Sequence, residues 1–169
     1  DDYLRKCFLV RDETYLPSES MLATLSVFFF QHPARPDTLQ KAELRKWFWA
    51  TALAKRYSGA GYHKNIAGDA RLFRDMAKGV NRKFTLENRL DPYQHIQLEQ
   101  FQSGSARTRA FFCLLAAQRP KYLDSSGEMV QLDKEAMSYA NRRHRHHIFP
   151  RAQLKNHCSA TAYNSLTNI

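Results

Sequence analysis

Two adjacent histidines, His146 and His147, stand in the segment Arg142-Arg143-His144-Arg145-His146-His147-Ile148-Phe149-Pro150-Arg151. In an extended strand, neighbouring side chains point to opposite faces. One imidazole can then ligate a metal while the other addresses a water. Ile148 and Phe149 favour a strand, and Pro150 bars ladder pairing beyond it. An imidazole acting as a base needs its second ring nitrogen held by an acceptor, which fixes the tautomer. Asn168 lies 21 residues after His147 and offers such an acceptor in its side chain or its backbone. A neutral histidine with its ordinary pKa of about 6.5 suits a base at pH 7. The arginines beside it disfavour its protonation.

The charge around these residues fits a phosphate-bearing partner. The 169 residues hold 26 Lys and Arg against 16 Asp and Glu, a net charge of +10. Residues 134–169 alone carry six basic side chains and one acid, a net +5. Such a concentration is the electrostatic footprint of a phosphate-binding surface. Arg142, Arg143, Arg145, Arg151 and Lys155 are the candidate phosphate contacts, since the guanidinium fork matches phosphate oxygens. Two other readings stay open: a solvated basic tail, and a structural or adventitious metal patch for the histidines. His144 and His157 have nothing around them that defines a role.

The elements that must position these residues read mostly as helix. Pro17-Ser18-Glu19-Ser20 opens an apolar, buried helix over 21–31, ended by Pro33 and Pro36. Asp37 with Gln40 caps a long helix over about 39–57, whose Leu44, Trp47, Phe48, Thr51 and Ala54 form one buried face. Ser58-Gly59-Ala60-Gly61 stops it. A third helix covers about 64–78, with Ile66, Ala70, Phe73 and Ala77 inward and Gly79 closing it. Residues 81–104 hold at most one short helix. Ser105 caps a helix over 106–118, ended by Pro120. Asp124-Ser125-Ser126-Gly127 is a turn between short strands at Leu123 and at 129–132, and Asp133 caps a short helix to Ala140. Trp47-Phe48-Trp49 is core rather than a ligand platform. Arg56 at a helix end either meets phosphate or satisfies the last carbonyls.

Composition narrows the classes. Hydrophobic residues at 43% and aromatics at 12% exclude a disordered chain. The longest apolar stretch, Met21 to Phe30, is interrupted by Thr24 and Ser26, which excludes a membrane span. No signal peptide is visible. Cys7, Cys113 and Cys158 are too far apart for a zinc knuckle and fit three free thiols in a reducing compartment, with Cys113 in the core. The chain begins Asp1-Asp2-Tyr3, so we expect a piece of something longer.

These residues resemble a family. His146-His147-Ile148-Phe149-Pro150, Ala152-Gln153-Leu154-Lys155 and Asn164-Ser165-Leu166-Thr167-Asn168-Ile169 look like the HNH (ββα-metal) nuclease domain of GmrSD-type modification-dependent restriction endonucleases. Trp47 to Gly59 and Phe112 to Pro120 resemble the C-terminal half of the same proteins. The resemblance implies that His146 ligates a divalent cation, Mg²⁺ or Mn²⁺, that His147 is the general base, and that Asn168 is the middle asparagine. It implies phage or modified DNA as substrate, a nucleotide-hydrolysing domain towards the N-terminus as partner, no membrane, and a prokaryotic cytoplasm. The family's final helix, with its second metal ligand, would follow Ile169. We therefore expect this fragment to hold no catalytic metal, with Asp133, Glu135 and Asn164 as the nearest substitute ligands.

The expected fold is α+β and mostly α-helical. A helical domain over residues 1–140 precedes a small, truncated ββα-metal motif over 141–169. The expected activity is metal-dependent hydrolysis of DNA phosphodiesters. The competing reading is a non-catalytic DNA-binding or regulatory module with an incomplete motif, and an RNase toxin is a third.

Overall fold

The computed structural model describes residues 2–10, 12–88, 90, 91, 93–97, 99–102, 104–122, 124–130 and 148–168, except the side chains of Tyr163 and Leu166. The chain is mostly helical, as its patterning requires. Among the described residues the only β pairing is two isolated bridges, Gln100 with Ser165 and Lys121 with Met129, both antiparallel. The helices are α1 (Asp2–Cys7), α2 (Glu19–Gln31), α3 (Thr38–Leu53), α4 (Tyr62–Ala77), α5 (Ala106–Ala117), α6 (Arg151–Leu154) and α7 (Ala160–Tyr163). Short 3₁₀ turns cover Glu13–Tyr15 and Leu166–Asn168, and a π turn covers Tyr93–Gln97. No helix among the described residues is long and apolar enough to cross a membrane. The chain forms two compact units: a central one, Pro17–Leu90, and a terminal one built from Asp1–Leu16 and Asp91–Ile169. The boundary expected at residue 140 lies outside the described residues.

The central unit is organised by α2, α3 and α4. The start of α3 is the expected capping box. Asp37 Oδ1 accepts from Gln40 N at 2.8 Å, and Gln40 Oε1 accepts from Asp37 N at 2.9 Å. Gln40 then donates through Nε2 to the Met76 carbonyl at 3.1 Å, tying this end to the last turn of α4. The helix stops at Leu53, four residues short of the expected Tyr57. The reason is a Schellman turn without glycine. Lys55 takes a left-handed φ of 51°, Lys55 N donates to Ala52 O, and Arg56 N donates to Thr51 O at 3.0 Å. Gly79, with φ 81°, ends α4 through the same pair of bonds, from Gly79 N to Met76 O and from Val80 N to Asp75 O. Here the glycine meets the conformational demand directly.

The Lys55 turn swings Arg56 and Tyr57 onto α4. Asp69, buried on that helix, accepts from Trp47 Nε1 at 2.9 Å, Tyr57 OH at 2.8 Å, Arg56 Nη2 at 2.9 Å and Arg56 Nε at 3.3 Å. Arg56 is thus an internal partner of a carboxylate, and neither expected role for it, on phosphate or on helix carbonyls, is what its side chain does. Its guanidinium also lies 5.7 Å from the centre of the Phe84 ring, a favourable cation–π distance. α3 holds Phe84 by its backbone: Glu43 Oε2 accepts from Phe84 N and Lys46 Nζ donates to Phe84 O, both at 2.7 Å. Around the carboxylate sit edge-on aromatic contacts, Trp47 with Phe73 at 4.8 Å and Phe28 with Phe73 at 6.4 Å. Trp47 is core, as its helical spacing indicates. The apolar run of α2 predicts burial throughout, but only Met21, Thr24, Leu25 and Phe28 are buried. Leu22 and Phe30 of the same helix are exposed.

The terminal unit packs α5 against the 3₁₀ turn at Glu13–Tyr15. Tyr15 meets Phe112 edge-on at 6.3 Å, and Phe112 meets Phe101 at 6.2 Å. Arg109 Nη1 donates to Leu16 O at 2.9 Å. Cys113 is fully buried here, and burial pushes its thiol up to about 12. All three cysteines are free. The expected turn at Asp124–Gly127 is present. Asp124 Oδ1 accepts from Ser126 N at 3.0 Å, Gly127 has φ 68°, and Tyr122 N donates to Glu128 O at 3.0 Å across it.

Two outcomes follow for the central unit. Asp69→Ala strands the Arg56 charge and two buried donors, and it should cost about 3–5 kcal/mol in urea denaturation. Breaking the exposed Lys6–Asp2 pair of the terminal unit, by contrast, should leave the midpoint where it was. Burial, reinforced by the Asp69 charge, raises the Tyr57 phenol above its ordinary 10.0. The folded state therefore keeps this proton longer than the unfolded chain does. The associated stability is complete below pH 10 and falls as pH rises past it. Tyr57→Phe should flatten that alkaline decline in pH-dependent melting.

Candidate functional site

The C-terminal segment is anchored from both sides. Phe101 N donates to Asn164 O at 3.1 Å, beside the Gln100–Ser165 bridge. The last 3₁₀ turn then closes, with Asn168 N donating to Ser165 O at 3.1 Å. Ser165 Oγ and Thr167 Oγ1 pair at 3.0 Å. This places Asn168, only 6% exposed, against the chain at Ile148 and Phe149.

There Asn168 makes three hydrogen bonds to the backbone. Its own carbonyl accepts from Ile148 N at 2.8 Å. Its side-chain Oδ1 accepts from Phe149 N at 2.9 Å, and Nδ2 donates to Phe149 O at 3.2 Å. A primary amide carries a donor and an acceptor side by side, as a peptide group does. Asn168 therefore serves residues 148–149 as a neighbouring strand would. The Ile148 and Phe149 side chains remain exposed, at 66% and 62%. Pro150 then precedes α6, with its carbonyl accepting from Gln153 N at 2.9 Å.

The clamp begins at the residue covalently following His147. His146, His147, Arg142, Arg143 and Arg145 lie outside the described residues, and so does the strand expected to carry the two histidines. The expected bond between Asn168 and the imidazole falls there too. The structure adds a task that the sequence does not suggest: the Asn168 amide grips the main chain two residues beyond His147. Arg151 and Lys155 are exposed at the start and the C-cap of α6, and Lys155 N donates to Arg151 O at 3.0 Å. A separation of four residues puts both cations on one side of that turn.

Among the described residues, no three His, Cys, Asp or Glu side chains converge on a possible metal position. Asn164, a candidate second ligand, accepts at its backbone carbonyl from Phe101 N. The described donors do not by themselves make up a cation site. No family model, curated protein or solved structure matches the chain.

The clamp has its own test. Asn168→Ala removes both side-chain bonds and should speed amide exchange at Phe149 much more than at Ile148, whose acceptor is a backbone carbonyl. Asn168→Asp keeps the acceptor for Phe149 N but sets a carboxylate oxygen against Phe149 O, so it should leave partial protection. Equal, unchanged exchange in both variants, measured by NMR, would show that the amide does not hold this segment.

Proposed function

We propose that the chain is the nuclease-bearing part of a metal-dependent DNA endonuclease of the HNH type, acting in an antiphage, modification-dependent restriction system. The observation that carries this reading is the clamp of Asn168 on Ile148 and Phe149. It brings together the two stretches whose residues resemble the motif, 19 positions apart in the Phe149 bonds. A backbone held directly after a histidine restricts where that imidazole can reach, and positioning of a base is what general-base catalysis requires.

In this reading His147 takes a proton from water. The oxygen of that water bonds to phosphorus, the bond from phosphorus to the 3′ oxygen breaks, and the departing oxygen takes a proton from solvent. A divalent cation, Mg²⁺ or Mn²⁺, with His146 as its ligand on this chain, would supply Lewis-acid stabilisation of the phosphate charge. Arg142, Arg143, Arg145, Arg151 and Lys155 hold the DNA backbone on either side. Asn168 is a positioning residue that acts through the main chain. The same reading carries a nucleotide-hydrolysing domain as partner, phage or modified DNA as substrate, and a prokaryotic cytoplasm as setting.

Plasmid nicking by the intact protein with Mg²⁺ or Mn²⁺ decides it. His147→Ala should lower cleavage by about 10²–10⁴-fold while filter binding of DNA stays near wild type, because a base acts in the transition state. His146→Ala should raise the metal concentration needed and be partly rescued by more metal. Cleavage at the normal rate by His147→Ala would remove it as the base. Binding without any cleavage by the intact protein would favour a non-catalytic DNA-binding module.

A further inference from the structure

The positive charge of this protein is concentrated in the central unit. Residues 17–90 hold 13 Lys and Arg against 6 Asp and Glu, a net +7 out of +10. Four of the six acids are used inside the fold. Asp37 closes the capping box, Glu43 accepts from Phe84 N, Asp69 takes Arg56, Trp47 and Tyr57, and Asp75 pairs with Arg82 at 3.1 Å. Asp69 is buried and does little for the outer surface; Asp37 is exposed and Asp75 partly so, yet the bases of this unit still outnumber its acids by 13 to 6.

The surplus is ordered along α4. Lys64, Arg71, Arg74 and Lys78 follow helical spacings of seven, three and four, which puts them on one face, and all four are exposed. None of them is in an ion pair among the described residues. The stripe spans about 21 Å at ~1.5 Å per residue. Between its ends lie Ala67 and Gly68, also exposed. A Cβ added at Gly68 would meet nothing within 4 Å. Glycine inside a helix is destabilising relative to alanine, and the fold gives no steric reason for it here. A helix face that carries four long cations, with only a methyl and a hydrogen between Lys64 and Arg71, admits a bulky anionic partner close to the helix axis there.

We propose that this face of α4 is a docking surface for the phosphate backbone of duplex DNA, with Lys64, Arg71, Arg74 and Lys78 as the contacts and Ala67 and Gly68 as the point of closest approach. The inference rests on the reading that the protein meets DNA, but it does not depend on His146 or His147. A membrane surface fits less well. The apolar side of α4 is committed to the core through Phe73 and Met76, and the exposed side has no large apolar residue to insert. Duplex RNA carries the same charge on a differently shaped A-form helix, and the experiment separates the two.

The test is DNA binding by the 169-residue chain across a salt series, read by anisotropy with a short random-sequence duplex. Each neutralised phosphate contributes about 0.9 to the slope of log affinity against log salt. K64Q/R71Q/R74Q/K78Q should therefore flatten the slope by up to about 3.6, with a melting midpoint at or above that of the wild type, since glutamine is as good a helix former and the repulsion among the four cations is removed. A folded variant with the wild-type slope would overturn the proposal. So would equal binding, with equal dependence on these four residues, to duplex RNA or to vesicles of phosphatidylserine and phosphatidylcholine. Gly68→Leu should melt at higher temperature yet bind DNA more weakly; undiminished binding would exclude the close approach. Cleavage is a separate readout: loss of nicking in His147→Ala with the slope intact, or no nicking by any variant, bears on the nuclease reading alone.

Discussion

The central unit depends on one buried carboxylate. Taking an ion such as Asp69 out of water costs several kcal/mol, and the interior recovers this only with well-placed partners. Four hydrogen bonds do so, from donors separated from Asp69 by 12, 13 and 22 positions in sequence. Trp47 comes from the body of α3, and Arg56 and Tyr57 from the turn after it. Few arrangements of these segments put all three side chains within reach of one carboxylate. The bonds thus select how α3 sits against α4, while the aromatic contacts of Trp47, Phe73 and Phe28 supply the apolar burial. Asn65 Nδ2 adds a brace by donating to Arg56 O at 2.9 Å.

In the terminal unit an uncharged group performs a comparable task. The Asn168 amide satisfies the N–H and C=O of Phe149, and the Asn168 carbonyl takes the N–H of Ile148. A carboxamide suits this because its donor and acceptor are coplanar and close together. Aspartate has no donor, and glutamine adds a rotatable bond whose ordering costs entropy. A single residue at the end of a 3₁₀ turn therefore gives the 148–149 backbone the pairing that a second strand would otherwise have to provide. No β-ladder is needed at that point.

What could be read from the sequence was local. Asp37 with Gln40, Gly79 after α4, and Pro120 beyond α5 are signals complete within a few residues, and each lies at the end of the helix it marks; Ser105 stands at the N-cap of α5 but makes no side-chain capping bond. The end of α3 was not legible, because its left-handed residue is Lys55. The cost of that conformation is offset by two Schellman bonds and by the contacts it gives Arg56 and Tyr57. Asp69 was also missed. In a helical pattern an aspartate looks like a solvated residue, and only partners a dozen or more positions away decide otherwise. For the candidate site, the nearness of Asn168 to the stretch at Ile148 and Phe149 was legible from residue types, while its expected bond to the His147 imidazole lies outside the described residues. That the asparagine grips a main chain was not, since backbone groups leave no trace in a sequence.

Charge shows the same division between what is local and what is not. Counting along the chain draws attention to residues 134–169, where basic residues cluster and acids are scarce. Counting by folded unit moves the emphasis to residues 17–90, where 13 bases outnumber 6 acids. Asp69, the only one of those acids that is buried, is spent on Arg56 and screens little of the outer face. The basic surface is thus partly a consequence of how the fold is held together. Salt accordingly acts in two directions. It relieves the repulsion among uncompensated cations, which favours the compact state, and under the proposed docking to DNA it competes with phosphate for the same cations, which weakens association. Under that proposal stability and affinity respond with opposite signs to salt because both draw on the same surplus of charge.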